Sequence, residues 1–171
     1  MWDKRSRFTA LVHALSKDVY RYAYWLCHSR TEAEDLVQET FTRAWRSIDD
    51  LRDDKAAKGW LLTTLRREHA RKYEKARPDI EETDLALIAD SHRGYDCSTE
   101  AFSVRRALSR LPIEYREPLV LQVVEGYRCE EIASLMGLSA SAVMTRLCRA
   151  RQRLREMLTD TSDTVAKVSH L

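Results

Sequence analysis

The sequence predicts an all-α protein of two small helical domains joined by a flexible acidic linker. The 171-residue chain contains four glycines and three prolines, too few for the closely spaced turns of an all-β protein. Charged residues form 33% of the chain and hydrophobic residues 44%, which excludes bulk disorder. No apolar run approaches the roughly 18 residues of a membrane-spanning helix, and the amino terminus has no apolar signal-peptide core. We therefore expect a soluble, cytoplasmic protein that does not insert into membranes.

The first domain, residues 1–77, is predicted to contain three amphipathic helices. Apolar residues recur at three- and four-residue steps in three segments, which are typical of helices that bury one face. These segments are residues 8–26, 33–48 and 61–73. Thr31 followed by Glu34 has the pattern of a capping box and predicts the start of the second helix. The third helix is expected over about 58–75, with Tyr73 buried.

Pro78 and the acid-rich segment after it interrupt this pattern, so residues 78–98 are predicted to be the linker. The second domain, residues 99–160, is expected to begin after Ser98, a residue type that caps helices. Residues 161–171 are expected to form a frayed tail. Helices of the second domain are predicted at about 99–111, 114–125, 129–136 and 140–157.

Charge is segregated along the chain, although the formal net charge is only +2. Residues 55–77 contain eight basic and two acidic side chains, and residues 139–157 contain five and one. Between these blocks, residues 78–100 contain seven acidic side chains and one basic one. Two separated basic blocks indicate binding to a polyanion, and solvated helix faces are the alternative.

The segment EEIASLMGLSASAVMTRLCRARQRLR, residues 130–155, has the pattern of a helix-turn-helix. In this motif the first residues of the second helix meet base edges in the major groove. The residues expected on that surface are Ser139, Ser141, Ala142, Met144, Thr145, Arg146 and Arg149. Further along, Arg151, Arg153 and Arg155 are expected to contact phosphates or to stabilise the carboxyl end of the helix. The alternative is a helical hairpin with a solvated basic face.

Two helix faces of the first domain carry further candidates. One face of the third helix carries Trp60, Thr64, Arg67 and Arg71, flanked by Arg66 and Lys75. A ring among cations suits unpaired DNA, because the ring stacks on bases while the cations follow the backbone. Burial of Trp60 in the core is the alternative. The polar face of the second helix carries Asp35, Gln38, Glu39, Thr42, Arg43 and Arg46, for which a solvated surface is the ordinary interpretation.

Three segments together resemble bacterial sigma factors of the extracytoplasmic-function group. They are DLVQETFTRAW (35–45), KGWLLTTLRREHARK (58–72) and ALSRLPIEYREPLVLQVVEGYRCEEIASLMGLSASAVMTRLCRARQRLR (107–155). The resemblance covers nearly the whole chain, with the motifs in the expected order. It implies a subunit without catalysis of its own that directs core RNA polymerase to specific promoters and initiates transcription. It also implies control by an anti-sigma factor, either free or anchored in a membrane.

The resemblance further implies which residues serve each partner. Docking on the beta-prime clamp helices of core polymerase would fall to Asp35, Gln38, Glu39 and Arg43. The loop over residues 52–57 would hold a flipped-out base of the minus-ten element, and the opened strand would be held beside it. The residues implied for the minus-ten element are Arg52, Lys55, Trp60, Arg66, Arg67 and Arg71. The helix-turn-helix would rest on the beta flap and read the minus-thirty-five element through Ser141, Met144, Thr145, Arg146, Arg149, Arg151 and Arg153.

The chain departs from the family pattern at two places. Many relatives have Ser or Thr where this chain has Arg128, and because Arg has no acceptor for a backbone N–H, the helix cap must come from elsewhere. Relatives often carry Gly-Thr-Val-Lys where this chain has residues 141–144, Ser-Ala-Val-Met. The missing lysine leaves the base preference open.

No cofactor, metal site or enzymatic activity is expected. Cys27, Cys97, Cys129 and Cys148 have no two-residue spacing, and neither a histidine pair for metal hydrolysis nor a glycine-rich phosphate loop is present. Two other interpretations stay open. One is a stand-alone helix-turn-helix regulator that binds duplex DNA as a dimer. The other is a sigma mimic that sequesters an anti-sigma factor and binds no DNA.

Overall fold

The computed structural model describes residues 3–75 and 99–168, with the side chains of residues 3–73 and 103–159. These residues belong to two compact units, and the all-α prediction is confirmed. The first unit contains α1 (Lys4–Cys27), α2 (Arg30–Ser47) and α3 (Ala57–Lys75), and the second contains α4 (Thr99–Arg110), α5 (Ile113–Val123), α6 (Cys129–Met136) and α7 (Ala140–Val168). The predicted linker, residues 78–98, and the predicted cap at Ser98 lie outside the described residues.

Each helix of the first unit packs against the other two. The large side chains that are fully buried come from all three helices and from the start of the loop after α2: Val19, Tyr22, Leu26, Leu36, Ile48, Leu61, Leu62 and Leu65. Burial of each contributes roughly 1.5–3 kcal/mol to folding. Tyr73, predicted to be buried, is instead 53% exposed, and among the described side chains of α3 burial ends one turn earlier, at His69.

The turn between α1 and α2 uses consecutive residues as caps. His28 ends α1 with a φ of +53°, in the left-handed region, and its N–H donates to the carbonyl of Tyr24 at 2.8 Å. Ser29 begins α2, and its Oγ accepts the N–H of Glu32 at 3.4 Å. The predicted cap at Thr31 is therefore wrong. Because α1 ends at Cys27, the hydroxyl of Ser29 is the first that is placed to cap the next helix.

In the second unit, α7 packs against α4, α5 and α6. Helix α5 is buried continuously from Tyr115 to Leu121, and a helix enclosed on all sides has no single apolar stripe. For this reason the spacing of apolar residues is misleading in α5. It predicts that Val123 is buried, but Val123 is 71% exposed, and it does not predict the burial of Leu121, which is 1% exposed.

A buried arginine closes the end of α4. Arg116 of α5 is 8% exposed, and its Nη1 donates to the carbonyls of Ser109 and Leu111 at 3.0 and 3.2 Å. Carbonyls at a helix carboxyl end have no partner within the helix. Arg116 supplies that partner and fixes the end of α4 to α5.

Helix α7 continues to Val168, about eleven residues beyond the end that the apolar pattern predicts. The frayed tail predicted for residues 161–171 is thus helical as far as Val168, because no glycine or proline follows Gly137 to stop it. None of the helices in the two described ranges combines the length and the apolar character that crossing a bilayer requires.

The cap of α2 can be tested with a pair of matched substitutions. We expect Ser29→Ala to lower the free energy of unfolding by about 1 kcal/mol, because it removes the acceptor for an N–H at the helix start. Thr31→Ala, an equally conservative change two residues later, is expected to cost less than about 0.5 kcal/mol. Urea unfolding followed by circular dichroism measures both. Equal losses, or a larger loss for Thr31→Ala, would contradict the assignment.

Candidate polymerase and nucleic-acid interfaces

The residues predicted to dock on polymerase lie together in a groove formed by α2 and α3. Its volume is about 440 Å³. Its lining includes the predicted docking set, Asp35, Gln38, Glu39 and Arg43, together with Glu68 and Arg71 of α3. The first three are exposed and Arg43 is half-buried, so the groove presents carboxylate, amide and guanidinium groups to a partner.

Glu68 is the buried charge of this groove. Its side chain is 7% exposed, and its Oε1 lies 2.5 Å from Nε of Arg43 on α2. Arg71, one turn further along α3, donates a hydrogen bond to the same oxygen. Glu39 reaches Arg43 only at 3.4 Å. A carboxylate removed from water is stable only with such partners, so Glu68 fixes one arginine from each helix.

Glu68 is a site residue that the sequence patterns did not single out. Its spacing to Arg71 fits an ion pair on one helix face, but its burial depends on how α2 packs on α3. Arg71 was predicted to hold the opened DNA strand, and the structure places it in the groove of the predicted docking set. The groove therefore joins residues from both predicted surfaces.

The remaining residues predicted for the minus-ten element lie on the loop between α2 and α3 and on α3 itself. Two short 3-10 turns, Ile48–Asp50 and Asp54–Ala56, form the loop, on which Arg52 and Lys55 are exposed. On α3, Arg67 is exposed, and Arg66 and Trp60 are half-buried. Part of the Trp60 ring therefore packs on the unit while part remains accessible.

The helix-turn-helix geometry is formed by α6 and α7. Glu131 accepts the N–H of Arg128 at 2.7 Å, so a side chain from inside the helix satisfies the N–H of the residue that precedes α6. Gly137, with a φ of +66°, makes the turn. Ser139 accepts the N–H of Ala142 at 3.2 Å and caps α7.

Burial separates the two faces of the start of α7. Val143 and Leu147 are 0% and 2% exposed and face the interior of the unit. Among the residues predicted to contact DNA, Arg146 and Ala142 are half-buried. The others are exposed: Ser139, Ser141, Met144, Thr145, Arg149, Arg151 and Arg153. A protruding helix face of this composition suits the major groove.

The last two residues of the predicted minus-thirty-five set contact their own unit. Arg151 donates a hydrogen bond to Oε1 of Gln122 on α5. The guanidinium of Arg153 lies 4.5 Å from the centroid of the Tyr115 ring, the geometry of a cation–π contact. Both side chains thus connect α7 to α5.

The described cysteines and metal-ligating residues form no metal centre. Cys27 is buried, Cys129 half-buried and Cys148 exposed, and Cys97 lies outside the described residues. Among the side chains described, those of residues 3–73 and 103–159, no three His, Cys, Asp or Glu cluster in a way that would hold a metal ion.

Comparison with known proteins places both units in one family. The sigma-70 region 2 family matches residues 11–78, and the sigma-70 region 4 family matches residues 101–154. The ECF RNA polymerase sigma factor EcfG of Rhodopseudomonas palustris is 33% identical over 139 residues, 80% of this chain and 77% of EcfG. SigE of Mycolicibacterium smegmatis is 33% identical over 97% of this chain, which spans 65% of SigE.

A solved structure has the same fold. The sigma factor RpoE of Bartonella quintana, in complex with the anti-sigma factor NepR, matches with a TM-score of 0.72 and 27% identity over 90% of this chain and 97% of RpoE. The chain belongs to the extracytoplasmic-function sigma factors of bacterial RNA polymerase, and the resemblance seen in its motifs is confirmed.

The role of Glu68 can be tested against its exposed neighbour. We expect Glu68→Gln to lower the free energy of unfolding by about 1–2 kcal/mol, because it removes the charge that two arginines share. Glu39→Gln removes an equal charge from the same groove and is expected to cost less than about 0.5 kcal/mol. Urea unfolding of both variants measures the difference. If the two losses are the same, the buried carboxylate does not hold the groove together.

Proposed function

We propose that the chain docks on core polymerase through the groove between α2 and α3 and directs it to promoters through two DNA-binding surfaces. The observation that carries the proposal is the gathering of Asp35, Gln38, Glu39 and Arg43 in one groove around buried Glu68. A solvated helix face needs no such organisation. The site of action is the cytoplasm, where core polymerase is found.

The chemical groups of the groove are better suited to orienting a bound partner than to increasing its affinity. Acidic, amide and basic groups lie on one face of α2 over about two turns, and Glu68 balances part of the charge of Arg43 and Arg71. Mixed charges of this kind set the register in which a partner binds and disfavour partners with a different charge pattern. They contribute less to the affinity itself. The proposed partner surface is the clamp helices of the beta-prime subunit.

Two DNA elements would be held by two different units. The first unit contributes Arg52, Lys55, Trp60, Arg66, Arg67 and Arg71 to the minus-ten element, and the second contributes the exposed face of α7 to the minus-thirty-five element while resting on the beta flap. Each surface is small, so each alone would bind weakly. Mounting both on one polymerase makes the second contact intramolecular and raises the combined affinity.

An anti-sigma factor is the proposed regulator. RpoE, similar to this chain over both units, was solved with the anti-sigma factor NepR. We extend that mode of control to this chain: a protein that covers the groove of α2 and α3 would exclude core polymerase and keep the sigma factor inactive.

The docking surface can be tested by a double substitution. Asp35→Ala combined with Gln38→Ala is expected to weaken holoenzyme assembly by at least about tenfold, because both exposed groups lie in the proposed contact. Glu34→Ala, which removes an exposed charge from the same helix outside the groove lining, is the control and is expected to leave assembly unchanged. Titration of core polymerase with fluorescently labelled chain gives the dissociation constants. Unchanged assembly of the double variant would count against the groove.

The upstream surface can be tested on promoter DNA with the holoenzyme. Arg146→Ala and Arg149→Ala are each expected to cost about 1–3 kcal/mol of binding to the minus-thirty-five element if the side chain reads a base. Arg110→Ala removes one exposed cation from α4 and is the charge-matched control. Footprinting at constant salt compares the variants. Full protection of the upstream element by both α7 variants would overturn the assignment.

A further inference from the structure

A single side chain of α1 fixes the loop between α2 and α3. Nη2 of Arg7 donates to the carbonyl of Leu51 at 2.5 Å and to Oδ1 of Asp54 at 2.7 Å. Nε of the same guanidinium donates to that Oδ1 at 3.1 Å, and Nη1 reaches the carbonyl of Ile48 at 3.5 Å. The side chain of Arg7 is 29% exposed. More than forty residues of sequence therefore separate the loop from the group that holds it.

The contacts of Arg7 span both 3-10 turns of the loop. Ile48 belongs to the first turn, Asp54 belongs to the second, and Leu51 lies between them. The planar guanidinium has five donors in a fixed arrangement, so it sets the distance between the turns as well as their orientation. Lys4, one turn earlier on α1, pairs with Asp49 at 2.6 Å. The loop is thus tied to the first two turns of α1.

Where the loop faces α1 beside Asp54, hydrogen bonds hold it across an open groove. Beside Arg7 and Asp54 lies an apolar groove of about 530 Å³, whose other lining residues are Ala10, Leu11, Ala14, Leu15 and Ala57. Open space on this side means that packed side chains do not block a shift of the loop toward α1. Ile48 and Leu51, at 1% and 7% exposed, are buried apolar anchors of the loop, and Arg7 binds the carbonyls of both.

We propose that Arg7 is a positioning residue that sets the loop over residues 48–56 in the geometry that selects the minus-ten base. The proposal rests on the proposed function, in which Arg52 and Lys55 of this loop serve the minus-ten element, and on the family resemblance, which implies that residues 52–57 hold a flipped base. Reading a flipped base depends on hydrogen bonds and stacking in a closely fitting pocket, and small displacements of such groups are costly. Arg7 itself contacts no DNA in this account and acts through the loop.

The test measures base selectivity with holoenzyme formed from the full chain and core polymerase. Run-off transcription is counted on a promoter library that carries every single-base substitution in the minus-ten and minus-thirty-five elements. For Arg7→Ala we expect discrimination at the most selective minus-ten position to fall roughly tenfold, about the effect of one lost charge-assisted hydrogen bond. Discrimination in the minus-thirty-five element and binding to core polymerase are expected to match the wild type.

Two variants separate positioning from loss of charge. Arg5→Ala removes an equal charge from the exposed side of the same helix and is expected to behave as wild type. Arg7→Lys keeps a cation able to pair with Asp54 but loses the fork that also reaches the loop carbonyls, so its selectivity is expected to lie between those of Arg7→Ala and the wild type. Equal losses for Arg5→Ala and Arg7→Ala would show a general electrostatic effect and overturn the proposal.

Asp54→Ala breaks the same contact from the side of the loop, so it tests the proposal even if Arg7→Ala does not fold. Asp54→Ala is expected to lower minus-ten selectivity in the wild-type background and to have no further effect in the Arg7→Ala background. Equal effects of Asp54→Ala in both backgrounds, or wild-type selectivity of Arg7→Ala or of Asp54→Ala, would contradict the proposal. A wild-type holoenzyme without any base preference in the minus-ten element would instead contradict the proposed function.

Discussion

The first unit depends on a carboxylate that is removed from water and held by two arginines. An unpaired buried charge costs several kcal/mol, so Glu68 requires Arg43 on α2 and Arg71 on α3 to stay in place. The same requirement brings the residues of the proposed polymerase contact and one residue of the proposed minus-ten contact into a single groove. Stability and the proposed recognition of polymerase therefore depend on one set of side chains, so a partner that bound the groove would meet a preorganised surface.

The two units hold their exposed polar faces in place by different interactions. In the first unit, ion pairs and hydrogen bonds of charged side chains connect α2 to α3 and connect α1 to the loop between α2 and α3. The second unit uses an α5 that is buried from Tyr115 to Leu121, the guanidinium of Arg116 at the end of α4, and contacts of Arg151 and Arg153 that hold α7 on α5. In both cases polar contacts between elements distant in sequence hold the helix or loop whose exposed face is proposed to meet DNA.

Sequence patterns predicted the elements well where the signal is local. The bounds of α6 follow from the glycine at position 137 and from regular apolar spacing, and the surface of α7 follows from the buried Val143 and Leu147. The patterns failed where a distant element decides the outcome. Whether Ser29 or Thr31 caps α2 depends on where α1 ends. The burial of Glu68 depends on how α2 packs on α3. The hydrogen bonds of Arg7 depend on a loop more than forty residues away. The apolar stripe of α7 predicts an end near Met157, whereas the helix continues to Val168 because no glycine or proline follows to stop it.

The central claim is that this chain opens promoter DNA only while it is bound to core polymerase. A duplex promoter carrying 2-aminopurine in its minus-ten element reports strand opening through the rise in fluorescence of the unstacked base. The account predicts no rise with the chain alone or with core polymerase alone, and a rise when both are present. Tight binding of the promoter by the chain alone, or no rise with the complete holoenzyme, would contradict it.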